Sequence, residues 1–520
     1  MSVNTRQQLL ASICAAPDDI PSRLIFADWL EEFGDADSDR ARAEFIRLQC
    51  AIENLEQWSP ERLDREERAK RLLKEHGEDW QRDLPGWARL RDDVVGGSRF
   101  RRGFLERIFG KAEDFFPSAE ELFAITPVRE VNITLIRDGG KALANCPQLA
   151  KMRRLEAAFE ESSLDLAAFL DSPYLLGLRE LALDYLVPHQ SGRFLEYGAM
   201  LGDDEAAALA RCPRLSGLTA LDVGSHAIGP EGLAALVESP HLTRMEQLDL
   251  RGNPIGDEGL KRLARSPWCG QLTHLTLYGA SIGNAGLGAL AAGQPGRLSQ
   301  LGLGGQSCRI GDAGIRALAR CEHLAGLREL ELFAWPLSRN RARSLARSPS
   351  LAGLRVLRLT SANVGDNQAR ELAASPHLRC LRFVDLQNND IGAEGITALA
   401  RSPVLESLTE LVLFNNSRIG DEGVAALAAS DFLPHLRTLS LTTTGLGPEG
   451  ARALAISPNL PQLQFLDLQD NPIGDEGGRA LCESPYLGRI RRLSLHTCGI
   501  GQEIKDALRE RFGEALHIDE

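Results

Sequence analysis

Residues 245–264 read MEQLDLRGNPIGDEGLKRLA, and residues 463–482 read LQFLDLQDNPIGDEGGRALC. The two stretches agree at almost every position a fold would constrain. The shared unit is L-x-x-L-x-L, then x-x-N-x-I-G, then a short helix ending A-x-S-P-x-L. The last two leucines of L-x-x-L-x-L alternate with polar residues, so they share one face of a short strand. Asn253, Asn389, Asn416 and Asn471 occupy the turn, where an amide can bond to the turn backbone and to the next unit. Gly256, Gly392, Gly420 and Gly474 follow an isoleucine. Asp257, Asp421 and Asp475 come next, where a side-chain oxygen can cap the first free N–H groups of the helix. Leu260 and Leu263, three apart, face inward. Ser-Pro at 266–267, 375–376, 402–403 and 484–485 ends the helix, because proline cannot continue the ladder.

Working outward, the unit recurs about every 27 residues from Val128 to the C-terminus, which makes 14 repeats. One longer interval, from Leu178 to Leu218, carries the insert DYLVPHQSGRFLEYGAM. Strands of successive units should lie side by side in a parallel sheet. A second period lies over the first. The helix-start residue is aspartate at 203, 257, 312, 366, 421 and 475, and the units between begin with Pro230, Asn284, Ser338, Ala393, Pro448 and Gln502. Two unit types alternate. This pattern resembles the ribonuclease-inhibitor class of leucine-rich repeats over residues 128 to about 510. The resemblance implies an α/β solenoid, an open horseshoe with a parallel sheet inside and helices outside, that binds proteins. One branch of similar proteins activates a nuclear transport GTPase, so regulation of a small GTPase is the alternative expectation, by fold analogy alone.

Residues 1–95 do not repeat. PDDIPSRLIFADWLEEFGDADSDRARAEFIRLQC predicts two helices joined by GDADSD. Pro17-Asp18-Asp19, Ala27-Asp28-Trp29-Leu30-Glu31-Glu32 and Arg42-Ala43-Glu44-Phe45-Ile46-Arg47-Leu48-Gln49 resemble the repeat-companion domain found beside bacterial repeat arrays, a family without an assigned activity. The expected layout is a helical companion domain at 1–95, a capping transition at 96–127, and the repeats at 128–520 with a closing cap at about 503–520. A solenoid end left bare would expose its core.

With 59 basic and 72 acidic side chains the net charge is −13, which argues against bulk nucleic-acid binding. No apolar run reaches the roughly 18 to 20 residues of a membrane span. Ten cysteines include no C-x-x-C pair, so no zinc ribbon or redox motif is expected. The start, MSVNTRQQLLASICAAP, has its apolar run broken by Ser12 and is followed by Asp18 and Asp19. It reads as a first amphipathic helix rather than a signal peptide, which predicts a cytoplasmic, reducing location. Cys146, Cys212 and Cys321 replace the helix-ending serine and read as structural. No phosphate loop, G-x-S-x-G or H-x-x-x-H is present, so no catalytic group, cofactor or metal is expected. Asp35, Asp37 and Asp39 have the spacing that opens a calcium loop, but Arg40 and Ile46 stand where glycine and glutamate belong. Asp28, Glu31 and Glu44 read as a solvated face rather than an active site. Arg99, Arg101, Arg102, Arg107 and Lys111 read likewise as a solvated basic strand.

The functional candidate is therefore the concave face. Its outward strand positions hold Tyr278, Phe333, Phe383 and Phe414, with Arg358 among them and Phe465 beyond. Large rings and an arginine are the usual make-up of binding hot spots. In the insert, Tyr185, Phe194 and Tyr197 suggest an ordered adhesive flap. These features predict a non-catalytic scaffold that binds a protein partner. Nothing in the sequence sets its oligomeric state.

Overall fold

In the computed structural model the 27-residue period becomes a strand, a turn and a helix, repeated along the chain. The described residues are 2–34, 36–55, 59–90, 98–138, 140–160, 165–188, 194–195 and 201–519. The chain divides into two compact units: residues 1–228 with 238–245, and residues 229–237 with 246–520.

In the second unit, strands run from Gln247–Asp249 to Arg492–Ser494, with a short Leu516–His517 at the end. Every neighbouring pair is parallel. The register is uniform. Leu248, Leu275, Leu301, Leu330, Leu357, Val384 and Leu411 form one row, and none is more than 5% exposed. A slip of one residue would turn that row to solvent, so the apolar pattern fixes the pairing. Leu260 and Leu263 of the helix Gly256–Arg265 are fully buried against it. Each such leucine contributes about 1.5–3 kcal/mol by leaving water.

Three ladders of polar side chains tie each unit to its neighbour. The asparagines reach backward, to the preceding unit, not forward as the sequence suggested. Asn389 Oδ1 accepts from the N–H groups of Ala362 (3.0 Å) and Val364 (2.9 Å), and its Nδ2 donates to the Leu359 carbonyl at 2.7 Å. Asn471 does the same with Thr444, Leu446 and Leu441 at 2.9, 3.1 and 2.7 Å. Apart from Ser266, which donates to the Leu263 carbonyl of its own helix at 2.8 Å, the helix-ending serines also bond backward. Ser348, Ser375, Ser402 and Ser457 donate to the carbonyls of Ala319, Ala346, Ala373 and Ala428 at 2.5–2.7 Å. Cys321 substitutes with a thiol 3.2 Å from the Ala291 carbonyl.

The aspartates reach forward. Asp257 Oδ1 accepts from Gly283 N at 2.6 Å and Gly286 N at 2.8 Å, so it caps the next helix, Asn284–Ala292, rather than its own. Asp366 caps Ala393–Ala400 through Gly392 and Gly395. Asp421 caps Pro448–Ala455 through Gly447 and Gly450. Asp475 bonds Gly501 N, ahead of Gln502–Phe512. At Asp312 the link passes through Ser338 Oγ, which caps its own helix. The link is not confined to aspartate. Asn284, in a unit of the other type, caps the following helix Asp312–Ala319 in the same way, its Oδ1 accepting from Gly311 N at 2.7 Å and Gly314 N at 2.8 Å.

The first unit begins with helices Ser2–Ala15, Ile20–Phe33, Asp37–Ile52 and Pro60–Trp80. An antiparallel hairpin of Arg99–Arg101 and Phe104–Lys111 follows. Parallel strands then continue through Glu130–Ile136, Arg154–Glu160, Glu180–Pro188 and Ala220–Asp222. Phe104 packs in the core of the helices with Ile13, Phe26, Leu30 and Ile46. Beside it Arg23, fully buried, pairs with Glu106 at 2.7 Å. Arg102 bonds both oxygens of the same carboxylate at 3.0 and 2.6 Å. Residues 1–95 and 96–127, expected as successive segments, thus share a core and a buried ion cluster. Three more cations of the basic strand are matched, Arg101 with Glu53 at 2.7 Å, Arg107 with Glu156 at 3.1 Å and Lys111 with Glu113 at 3.7 Å.

Candidate functional site

With the leucines turned inward, residues at alternate strand positions of the second unit face away from the helices. The strand Gln300–Gly304 has no side chain at two of these positions, Gly302 and Gly304. Gly304 is in register with Tyr278 on one side and Phe333 on the other. The bare strand lets the Tyr278 ring lie across it: a Cβ on Gly302 would sit 2.5 Å from Tyr278 Oη. Tyr278 then meets Phe333 edge-on, with centroids 5.8 Å apart and planes at 67°. Its hydroxyl bonds the Glu331 carboxylate. Burial, with that carboxylate, pushes the Tyr278 hydroxyl well above its ordinary range.

Farther along, the Arg358 guanidinium lies 4.8 Å over the Phe383 ring and pairs with Glu329. Burial lowers the pKa of Arg358 against the pull of Asp385. Phe414 and Phe465 are half-buried on the same face. Among the described residues, no ring contact joins them to the other aromatics. The expected stripe is therefore two pairs and two isolated rings. Phe333, at 41%, is the most exposed of them.

The sequence reading passed over the acids between these rings. From Gln300–Gly304 to Glu410–Val412 the outward strand positions carry Glu329, Glu331, Asp385 and Glu410 against the single cation Arg358. The alternation that exposed the aromatics exposes these too. Asp385 has a structural task. It accepts from Gln387 N at 2.8 Å, Gln387 Nε2 at 3.0 Å and Thr360 Oγ1 at 3.2 Å, closing the turn. Burial raises the pKa of Glu331, and Asp385 adds to it against the Tyr278 bond. Burial also raises Glu410, with Arg358 opposing and Asp385 reinforcing.

In the insert, Glu180–Pro188 pairs antiparallel with Phe194–Leu195. The side chains of Tyr185 and Phe194, and the whole of Tyr197, lie outside the described residues. In the helical region Asp28 and Glu31 both bond Arg47, at 2.7 and 2.6 Å, and Glu44 takes Arg68 through both oxygens at 2.7 and 2.8 Å. The Arg68 bond lowers the pKa of Glu44, the opposite of what a general acid needs. Among the described residues no group of three or more metal-ligating side chains gathers, and no helix is long and apolar enough to cross a membrane.

A family model described as Leucine Rich repeat matches residues 217–237, 241–264, 377–400, 404–428, 432–455 and 460–482. The fold is an α/β leucine-rich-repeat solenoid. Three solved structures resemble it. The yeast Rad7 and Elc1 complex is 18% identical, with a TM-score of 0.44 over 74% of this chain and 83% of that one. An internalin from Listeria monocytogenes is 19% identical, at 0.38 over 66% and 81%. The Leptospira interrogans leucine-rich-repeat protein LIC12759 is 16% identical, at 0.33 over 80% and 90%. No curated protein matches the sequence significantly.

Proposed function

We propose that this chain is a non-catalytic scaffold that binds a protein partner on the outward sheet face of its second unit. The observation that carries the reading is Phe333, a large ring 41% exposed on a strand and held in place by Tyr278. A rigid aromatic offers apolar area at little entropic cost, which is what binding hot spots use. The alternation of two unit types, with aspartate at every second helix start, supports the ribonuclease-inhibitor-like class. The matched motifs support a companion module at 1–95, and ten unpaired cysteines support a reducing, cytoplasmic setting.

The test uses the full chain in the cell that makes it. A photo-crosslinking phenylalanine is placed at 414 or 465, with Ile456, 61% exposed beyond the helix Pro448–Ala455, as the control position. One protein should be captured from the sheet positions and not from 456. Its affinity should fall about thirtyfold with Phe333→Ala, the equivalent of about 2 kcal/mol. Capture only from 456 would refute the reading.

A further inference from the structure

The sheet face already shows how it holds a guanidinium. Arg358 lies over the Phe383 ring and pairs with Glu329, so a ring and a carboxylate together bind one arginine of this chain. Phe333 and Glu331 repeat those components on a single strand, two residues apart and pointing the same way. Among the described residues no arginine lies over Phe333. Tyr278 fixes both partners, the ring by edge contact and the carboxylate by its hydroxyl. Glu410 is a further carboxylate on the same face, without a hydrogen bond or ion pair among the described residues.

We infer that the partner of the proposed scaffold presents a basic segment to this face, with one arginine side chain stacked on Phe333 and bonded to Glu331, and a second cation at Glu410. This rests on the scaffold reading and adds the chemistry of the partner. Four carboxylates against one arginine leave the central face negative, and that arginine is already engaged. Acids on neighbouring strands stand about 4.8 Å apart, within the roughly 8 Å over which charges act at physiological salt, and Asp385, between Glu331 and Glu410, acts on both. Burial raises the pKa of Glu331 and of Glu410, and an incoming cation offsets that cost. A guanidinium suits the site better than an ammonium because it can stack on a ring and bond a carboxylate in its own plane. Glu331 and Glu410 stand three strands apart, roughly 14 Å at that spacing. An extended segment spans this with cations four residues apart, at about 3.3 Å per residue. A nucleic acid is disfavoured, since its phosphates would meet the carboxylates.

Binding of a fluorescent octa-arginine peptide to the full chain, read by anisotropy at several salt concentrations, tests the site. Glu331→Gln/Glu410→Gln should weaken binding by about tenfold or more. Glu422→Gln/Glu483→Gln, on exposed helix positions and with the same change in net charge, should leave it nearly unchanged. Phe333→Leu, which keeps apolar bulk but removes the ring face, should weaken it several-fold and serves if the double variant fails to fold. Equal weakening by the two double variants would overturn the site as general acidity. The captured partner supplies the other arm. Crosslinks mapping to an arginine- or lysine-rich segment are expected. Crosslinks to a neutral or acidic segment would overturn this inference and leave the scaffold standing, whereas no capture from the sheet would remove both.

Discussion

Alanine normally stabilises a helix relative to glycine by about 1 kcal/mol. At Gly286, in the first turn of the helix Asn284–Ala292, the sign should reverse. A Cβ there would lie 2.6 Å from Asp257 Oδ1 and 3.1 Å from Asp257 Cα. The carboxylate must swing away, and it then loses its bonds to Gly283 N and Gly286 N. Such a cap contributes about 1–2 kcal/mol, and residual crowding against the backbone adds about 1 kcal/mol. Gly286→Ala should therefore cost about 1–2 kcal/mol after its propensity gain. Asp257→Ala alone should cost about 2 kcal/mol. In the double variant the clash with the oxygen is gone, so the total should stay near 2 kcal/mol instead of reaching the sum. Urea unfolding gives the global values. Because a repeat array opens unit by unit, hydrogen exchange of the 283 and 286 amides gives the local ones. Additivity within about 0.5 kcal/mol would refute the forward cap.

Glu106→Ala should destabilise the first unit by about 3–5 kcal/mol by leaving Arg23 buried without its partner. Limited proteolysis should then cut between residues 52 and 99 much faster than in the parent, and an unchanged rate would count against the shared core. Thr443 holds φ = 54°, costly for a β-branched residue. Thr443→Gly should therefore raise stability by about 1 kcal/mol, read as a higher urea midpoint. Arg343 and Arg339 bond the Glu371 carboxyl and hold its pKa down at about 2, below its ordinary 4.5. A depressed folded pKa gives stability that is present above 4.5 and lost as the pH falls toward 2. The Arg339→Gln/Arg343→Gln variant should show a flatter acid-unfolding curve in that window by circular dichroism.

The solenoid was legible because Leu248 and Leu250 alternate with polar neighbours while Leu260 and Leu263 do not, and that contrast marks strand and helix. The direction of the polar ladders was not legible. Asp257 stands at a helix start and meets every local criterion for capping that helix. Only the stacking geometry places its oxygen nearer the following one. The trace it leaves in sequence is indirect: glycine at 286, 395 and 450, where a side chain would strike the carboxylate. The hidden core at Phe104 has a similar cause. Nothing in a basic strand signals that Arg102 turns inward to Glu106. On the sheet face, the positions of Tyr278, Phe333 and Arg358 followed from alternation. Their grouping did not, because it depends on the two absent side chains of Gly302 and Gly304.

The forward caps also make the length of the array discrete. Removing the single unit from Phe383 to Thr409 would set Asp366 against the unit of Asp421, where the amides of Gly420 and Gly423 already bond the carbonyls of Thr444 and Ile419. Asp366 would then lose the Gly392 and Gly395 amides it now caps. Removing two consecutive units would restore the alternation at the junction. Shortening or lengthening by about 54 residues should thus leave a well-joined solenoid, and steps of 27 should leave a seam.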